Sequence, residues 1–165
     1  MWTAAHPEQA VDAGAPAGGF VAEALYAVTI PPTPGQTGVA QVTARYVIHN
    51  FREEQVTIAL PLGPVALTMA RLNGQAAALV TAEDPAGGVP AVVIPTRGVH
   101  VLDAAYSVRL EQSGPAGKLT LSTRPVASGL LRVTLPGPDL SVRVSGGTRT
   151  YRRDRDDNRT VALVP

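Results

Sequence analysis

The sequence predicts an all-β fold, an antiparallel β-sandwich of about 9 to 11 short strands. Three observations carry this. Apolar and polar residues alternate with a period of two at about ten places, most clearly in residues 98–110, GVHVLDAAYSVRL. There Val99, Val101, Asp103, Ala105, Ser107 and Arg109 fall on one face and His100, Leu102, Ala104, Tyr106, Val108 and Leu110 on the other, which is mostly apolar as a core-facing side should be. The 16 Gly and 15 Pro punctuate the chain too often for long helices. The strand-like runs are joined by turns, and no helical stretch is present to make the crossover that parallel strands need.

Taken in order, residues 1–19 mix Ala, Gly, Pro and acidic side chains without periodicity and read as a flexible leader. A single β-sandwich domain is expected over 20–165. Residues 21–30 form a first strand, closed by Pro31, Pro32 and Pro34; residues 39–51 form a long second one, in which Ala40, Val42, Ala44, Tyr46 and Ile48 share a face. After a polar turn at 50–54, residues 55–60 return, so that the two runs read as a hairpin. Asn73-Gly74 is the strongest turn signal: both residues accept positive φ at low cost, which suits a type I′ turn between strands at 65–72 and 75–81. Residues 83–90 read as a loop, and strands follow at 91–94, 99–111, 118–123, 130–135, 140–145, 148–153 and 160–164. The last pair suggests an edge hairpin within 149–165.

Composition narrows the function classes. A chain that is 45% apolar and 16% charged is not a disordered one. The net charge of +1 supplies no field to gather nucleic acid or an anionic membrane, although residues 111–165 hold 9 of the 14 basic side chains. Arginine makes up 13 of those 14, which with the Ala, Gly, Pro and Val content matches the codon bias of a GC-rich bacterial genome. Without cysteine there is no disulfide framework, thiolate metal site or cysteine nucleophile. The longest uncharged apolar stretch, 56–70, is broken by Pro61, Gly63 and Pro64, so no transmembrane segment is expected.

The segment 96–108, TRGVHVLDAAYSV, resembles the late strand of bacterial immunoglobulin-like and fibronectin-type domains, in which a Gly turn precedes a strand of the form G-x-H-x-L-x-x-x-Y. Here Gly98, His100, Leu102 and Tyr106 carry the match. The resemblance implies an immunoglobulin-like sandwich and a spacer, docking or scaffolding role in bacterial envelope proteins; it transfers no catalytic residue.

Candidate chemistry is sparse. His6, His49 and His100 are the only imidazoles; His6 lies in the leader, and the other two, about fifty residues apart, have no carboxylate at ligand spacing, so no metal is expected. Ser113, Ser122 and Ser128 lack a nucleophile elbow and a local His-Asp pair. The adjacent carboxylates Glu53-Glu54, Glu83-Asp84 and Asp156-Asp157 sit in turns, where neighbours diverge rather than form an acid/base couple. Asp154, Asp156 and Asn158 alternate as in a calcium loop, but the sixth and twelfth positions hold Arg159 and Pro165 in place of Gly and Glu. The densest functional-group segment is 149–159, RTYRRDRDDNR, with Arg149, Arg152, Arg153, Arg155 and Arg159 around Tyr151. In a strand Arg149, Tyr151 and Arg153 share a face, a guanidinium-aromatic stripe suited to phosphate, carboxylate or partner-protein recognition; the plainer reading is a mixed-charge edge hairpin that discourages edge-to-edge aggregation.

The sequence therefore predicts a non-enzymatic interaction module, with no cofactor and no catalytic residue. It would scaffold or dock within a bacterial envelope or periplasmic protein, or a membrane-associated complex, and bind protein partners through Arg149, Tyr151, Arg152, Arg153, Arg155 and Arg159. The alternative is a β-sandwich that binds a small ligand or glycan; a hydrolase ranks below both.

Overall fold

The computed structural model describes residues 18–30, 38–62, 65–83, 88–113, 116–121, 123, 126–137, 150–154 and 159–164. They form twelve strands and no helix. The first two, β1 (Gly19–Thr29) and β2 (Val39–Asn50), are the long runs whose alternation the sequence shows. They pair antiparallel, and β2 pairs on its other side with the longest strand, β8 (Gly98–Ser113).

Around this centre the larger sheet takes the order β11-β12-β10-β1-β2-β8-β4-β5, with β9 (Ala116–Leu119) also paired to β8. Its other members are β4 (Leu67–Leu72), β5 (Gln75–Ala76), β10 (Ser128–Leu135), β11 (Thr150–Asp154) and β12 (Arg159–Val164). A second, antiparallel sheet has the order β3-β7-β6, from β3 (Val56–Ala59), β6 (Leu79–Ala82) and β7 (Val89–Ile94).

Three expectations are corrected. The larger sheet is mixed and not purely antiparallel, because β1 and β10 run parallel from Glu23↔Ser128 to Thr29↔Thr134. A parallel pair needs a long connection but not a helix; here the intervening strands are the crossover. The runs at 39–51 and 55–60 are not a hairpin: β2 stays between β1 and β8, whereas β3 pairs with β7 in the other sheet. The run at 75–81 is two strands, β5 against β4 and β6 against β7, since the chain changes sheet at Ala77 and Ala78. The expected strand at 140–145 and residues 1–17 of the expected leader lie outside the described residues.

One core is shared by both sheets. From the larger sheet come Ala24, Tyr26, Val28, Val42, Tyr46, Ile48, Leu102, Tyr106 and Val133; from the smaller sheet and the residues after β3 come Ile58, Leu60, Leu62, Val92 and Ile94. Each fully buried large side chain, such as Ile48, Leu60 or Leu102, contributes about 1.5–3 kcal/mol. The Asn73-Gly74 turn adopts φ of 51° and 84°, as a type I′ hairpin requires. At Gly19 the limit is space: a Cβ there would collide with the His49 carbonyl oxygen and lie 3.2 Å from Asn50 Cα, so only glycine lets β1 begin beside the end of β2.

Candidate functional site

The chemistry-bearing side chains gather where β2 ends and β8 begins. The register Ile48↔His100 and His49↔Val99 brings the two described imidazoles to neighbouring rows. Successive strand residues point to opposite faces, so the two rings diverge. His49 faces outward and His100 faces the core.

On the outer face Phe20 lies opposite His49 in register, and their rings stack with centroids 5.5 Å apart. Phe51, two residues after His49 and so on the same side, approaches Phe20 at 5.8 Å and His49 at 6.2 Å. Phe51 is 55% exposed and Val99, across the row from His49, is 62% exposed. The result is a solvent-facing aromatic-imidazole cluster continued by an aliphatic side chain. Its members were legible only in part: His49 and Phe51 share parity in the sequence, but Phe20 joins them through register alone.

On the inner face His100 is 6% exposed and both ring nitrogens are engaged. The Val101 N–H donates to Asn73 Oδ1 at 2.8 Å, which fixes the amide so that Nδ2 meets His100 Nδ1 at 3.1 Å. Nδ1 must then accept, and Nε2–H donates to the Thr96 carbonyl at 2.9 Å. Asn50, also buried, donates from Nδ2 to the same carbonyl at 2.8 Å and accepts the Arg52 N–H on Oδ1 at 2.9 Å. Across the loop tips Arg97 Nη1 lies 3.1 Å from Glu53 Oε1, an exposed pair that adds little. This network ties the turn at 73–74 and the loops at 51–55 and 95–97 to the two central strands. It leaves His100 no free nitrogen to act as a base or ligand.

The remaining titratable groups in the core are phenols. Tyr26, Tyr46 and Tyr106 all face the interior, and burial pushes each above the ordinary tyrosine range. Tyr26 and Tyr46 meet edge-on at 5.8 Å, and the Tyr26 hydroxyl donates to the Pro61 carbonyl at 3.1 Å. The Tyr46 hydroxyl, influenced mainly by its burial and by Tyr26, has no partner at hydrogen-bonding geometry among the described residues. Such phenols stay neutral and serve packing. On the outer face the Arg45 guanidinium meets Asp103 at 2.7 Å, which holds its charge more firmly still.

Of the residues expected to bind a partner, Arg149 and Arg155 lie outside the described residues. Tyr151, Arg152 and Arg153 fall in β11 and Arg159 in β12, paired as Tyr151↔Ala162, Arg152↔Val161, Arg153↔Thr160 and Asp154↔Arg159; their side chains are not among those described. The hairpin therefore exists and forms one edge of the larger sheet. His6 and Ser122 also lie outside, while Ser113 and Ser128 sit in β8 and β10. Among the described residues no three His, Cys, Asp or Glu side chains come together as a metal would require. Among them, too, no helix is long and apolar enough to cross a membrane.

No protein-family model matches the chain, and no curated protein matches it. Solved structures do. The M1 zinc metallopeptidase from Deinococcus radiodurans is 18% identical and superposes with a TM-score of 0.55 over 90% of this chain and 39% of its own. A variant of that enzyme bound to a Tyr-Ser-Ala substrate gives 15% identity, a TM-score of 0.54, and 89% and 39% coverage. Native leukotriene A4 hydrolase from yeast gives 10% identity and a TM-score of 0.55 over 89% of this chain and 27% of its own. At these identities the likeness shows a shared fold, and this chain spans well under half the length of each. The expectation of a non-enzymatic scaffolding or docking module, and with it that the chain is no enzyme, is thereby corrected: these structures are hydrolases, of the peptidase type among them. The expectation rested on absent catalytic constellations, and fold and chemistry are separable, so that absence does not argue against a fold shared with hydrolases.

Proposed function

We propose that this chain is a hydrolase-related β unit that works beside a zinc-bearing catalytic unit of the peptidase type and helps to shape the place where a peptide is held. The observation that carries the reading is the overlap itself: about nine-tenths of this chain is matched by 39% of an M1 zinc metallopeptidase. Its own described residues do not fit a zinc site, since His49 and His100 point to opposite faces and no three His, Cys, Asp or Glu side chains come together among them. No catalytic step is therefore assigned to them. Their part is positional, with the end of the sheet held rigid by the Asn50, Asn73, Thr96 and His100 network. The test is peptide hydrolysis by the natural polypeptide or complex that contains this chain, with the Tyr-Ser-Ala tripeptide as probe. Hydrolysis that a zinc chelator abolishes and added zinc restores is the expected result. A polypeptide or complex with no zinc-dependent hydrolysis of any peptide would overturn the reading.

A further inference from the structure

The smaller sheet ends in a strand whose outer edge is unspent. β6 pairs with β7 on one side, in the register Leu79↔Val92, Val80↔Ala91, Thr81↔Pro90 and Ala82↔Val89, and has no strand on its other side among the described residues. The Val93 N–H donates to the Ala78 carbonyl at 3.0 Å, so Ala78 points its backbone toward β7. By the alternation of an antiparallel ladder Val80 and Ala82 do the same, and Leu79 and Thr81 turn their N–H and C=O groups away from it. Pro90 fits this phase, because it lies opposite Thr81, where β6 asks for no donor.

Natural edges are blunted by shortness, lysine, proline, bulges or inward charges. This one is short, at four residues, but has none of the other devices: residues 75–82, QAAALVTA, hold no charge and no proline. Successive residues on opposite sides of the strand are both open to solvent, Leu79 at 39% and Val80 at 44%. An incoming strand would find backbone partners at Leu79 and Thr81 and an apolar side chain on each flank. A four-residue edge is too small for a second folded copy, since stable association buries about 800 Å² per partner. It suits an extended peptide, which brings its whole backbone to the edge.

We propose that the free edge of β6 captures an extended, uncharged peptide as an added strand, as the peptide-holding surface of this unit. The identity of that peptide as hydrolase substrate rests on the function proposed above; the capture itself does not. The experiment uses the full chain and a capped hexapeptide of alternating Thr and Val, followed by amide shifts and hydrogen exchange. Saturable shifts at the Leu79 and Thr81 amides, with slowed exchange there, are expected. The same peptide methylated on every backbone nitrogen should not bind, because alternate methylation would leave one hydrogen-bonding edge intact. Thr81→Pro should weaken binding about tenfold or more while leaving thermal unfolding unchanged, because the lost N–H points away from β7. Shifts that avoid β6, or equal binding of the methylated peptide to the unaltered chain, would overturn the proposal. So would concentration-dependent dimerisation through β6 without peptide, which would give the edge to a second copy. Because hydrolysis is measured separately, capture can fail while the hydrolase reading stands, and the reverse.

Discussion

Replacing Asn73 separates the two tasks that one residue performs at the β4–β5 turn. Its backbone sits at φ 51°, in the left-handed region, and its side chain joins the Val101 N–H to His100 Nδ1. Asn73→Gly keeps the backbone comfortable and removes the side chain. Val101 is half-buried and its N–H can turn to water, but His100 is buried and loses its donor. The expected loss is about 1–3 kcal/mol, one net hydrogen bond plus the penalty of an unpaired buried nitrogen. Asn73→Ala loses the same contacts and adds the left-handed strain of an L-residue with a Cβ, about 1 kcal/mol more. Urea unfolding of the two variants and the parent measures both differences, and nitrogen chemical shifts of the His100 ring report its tautomer. The parent ring should carry its proton on Nε2. A glycine variant as stable as the parent, an alanine variant no worse than the glycine one, or a parent ring protonated on Nδ1 would refute the reasoning.

Two further outcomes follow from the buried phenols. Tyr46→Phe removes a hydroxyl that is buried without a partner among the described residues, so it should be neutral or stabilising by about 1 kcal/mol in urea unfolding; a clear loss of stability would mean that the hydroxyl is bonded. Burial raises Tyr26, Tyr46 and Tyr106 in the folded state, whereas the unfolded phenols titrate near 10.0. The folded protein thus holds protons that the unfolded one releases, so stability is intact below about pH 10 and falls as pH rises beyond it, and an unfolding midpoint in urea that stays level from about pH 9 to 11.5 would contradict this.

Much of the fold is legible in the sequence because a period of two is local. The burial of His100, Leu102, Ala104 and Tyr106 on one face of β8, and of Val42, Ala44, Tyr46 and Ile48 on one face of β2, follows from alternation alone. The turn at Asn73-Gly74 follows from the φ preference of two residues. Strand partners are not local. Nothing in residues 55–60 distinguishes a return beside β2 from a passage to the second sheet, since either buries Ile58 and Leu60. At 76–78 three consecutive alanines carry no periodic signal, so the change of sheet between β5 and β6 leaves no mark. The parallel β1–β10 pair joins residues more than a hundred positions apart, beyond any pattern a window can hold. For the site, arginine density drew attention to 149–159, whereas the His100 network depends on Asn73, Thr96 and Asn50 arriving from three separate turns.

Several groups suited to acid-base or metal chemistry are already committed among the described residues. His100 spends both nitrogens on the turn and the loop, the three core tyrosines are held neutral by burial, and Asp103 is engaged by Arg45 on the outer face. His49 stacks on Phe20 and lies 6.2 Å from Phe51 on the outer face. What is left open among the described residues is of another kind: backbone donors and acceptors along β6, and the exposed side chains of Phe51 and Val99. Backbone edges and exposed apolar side chains are groups of the kind that bind extended chains. On the hydrolase reading proposed above, the reactive groups would come from outside the described residues, and the described ones would serve binding.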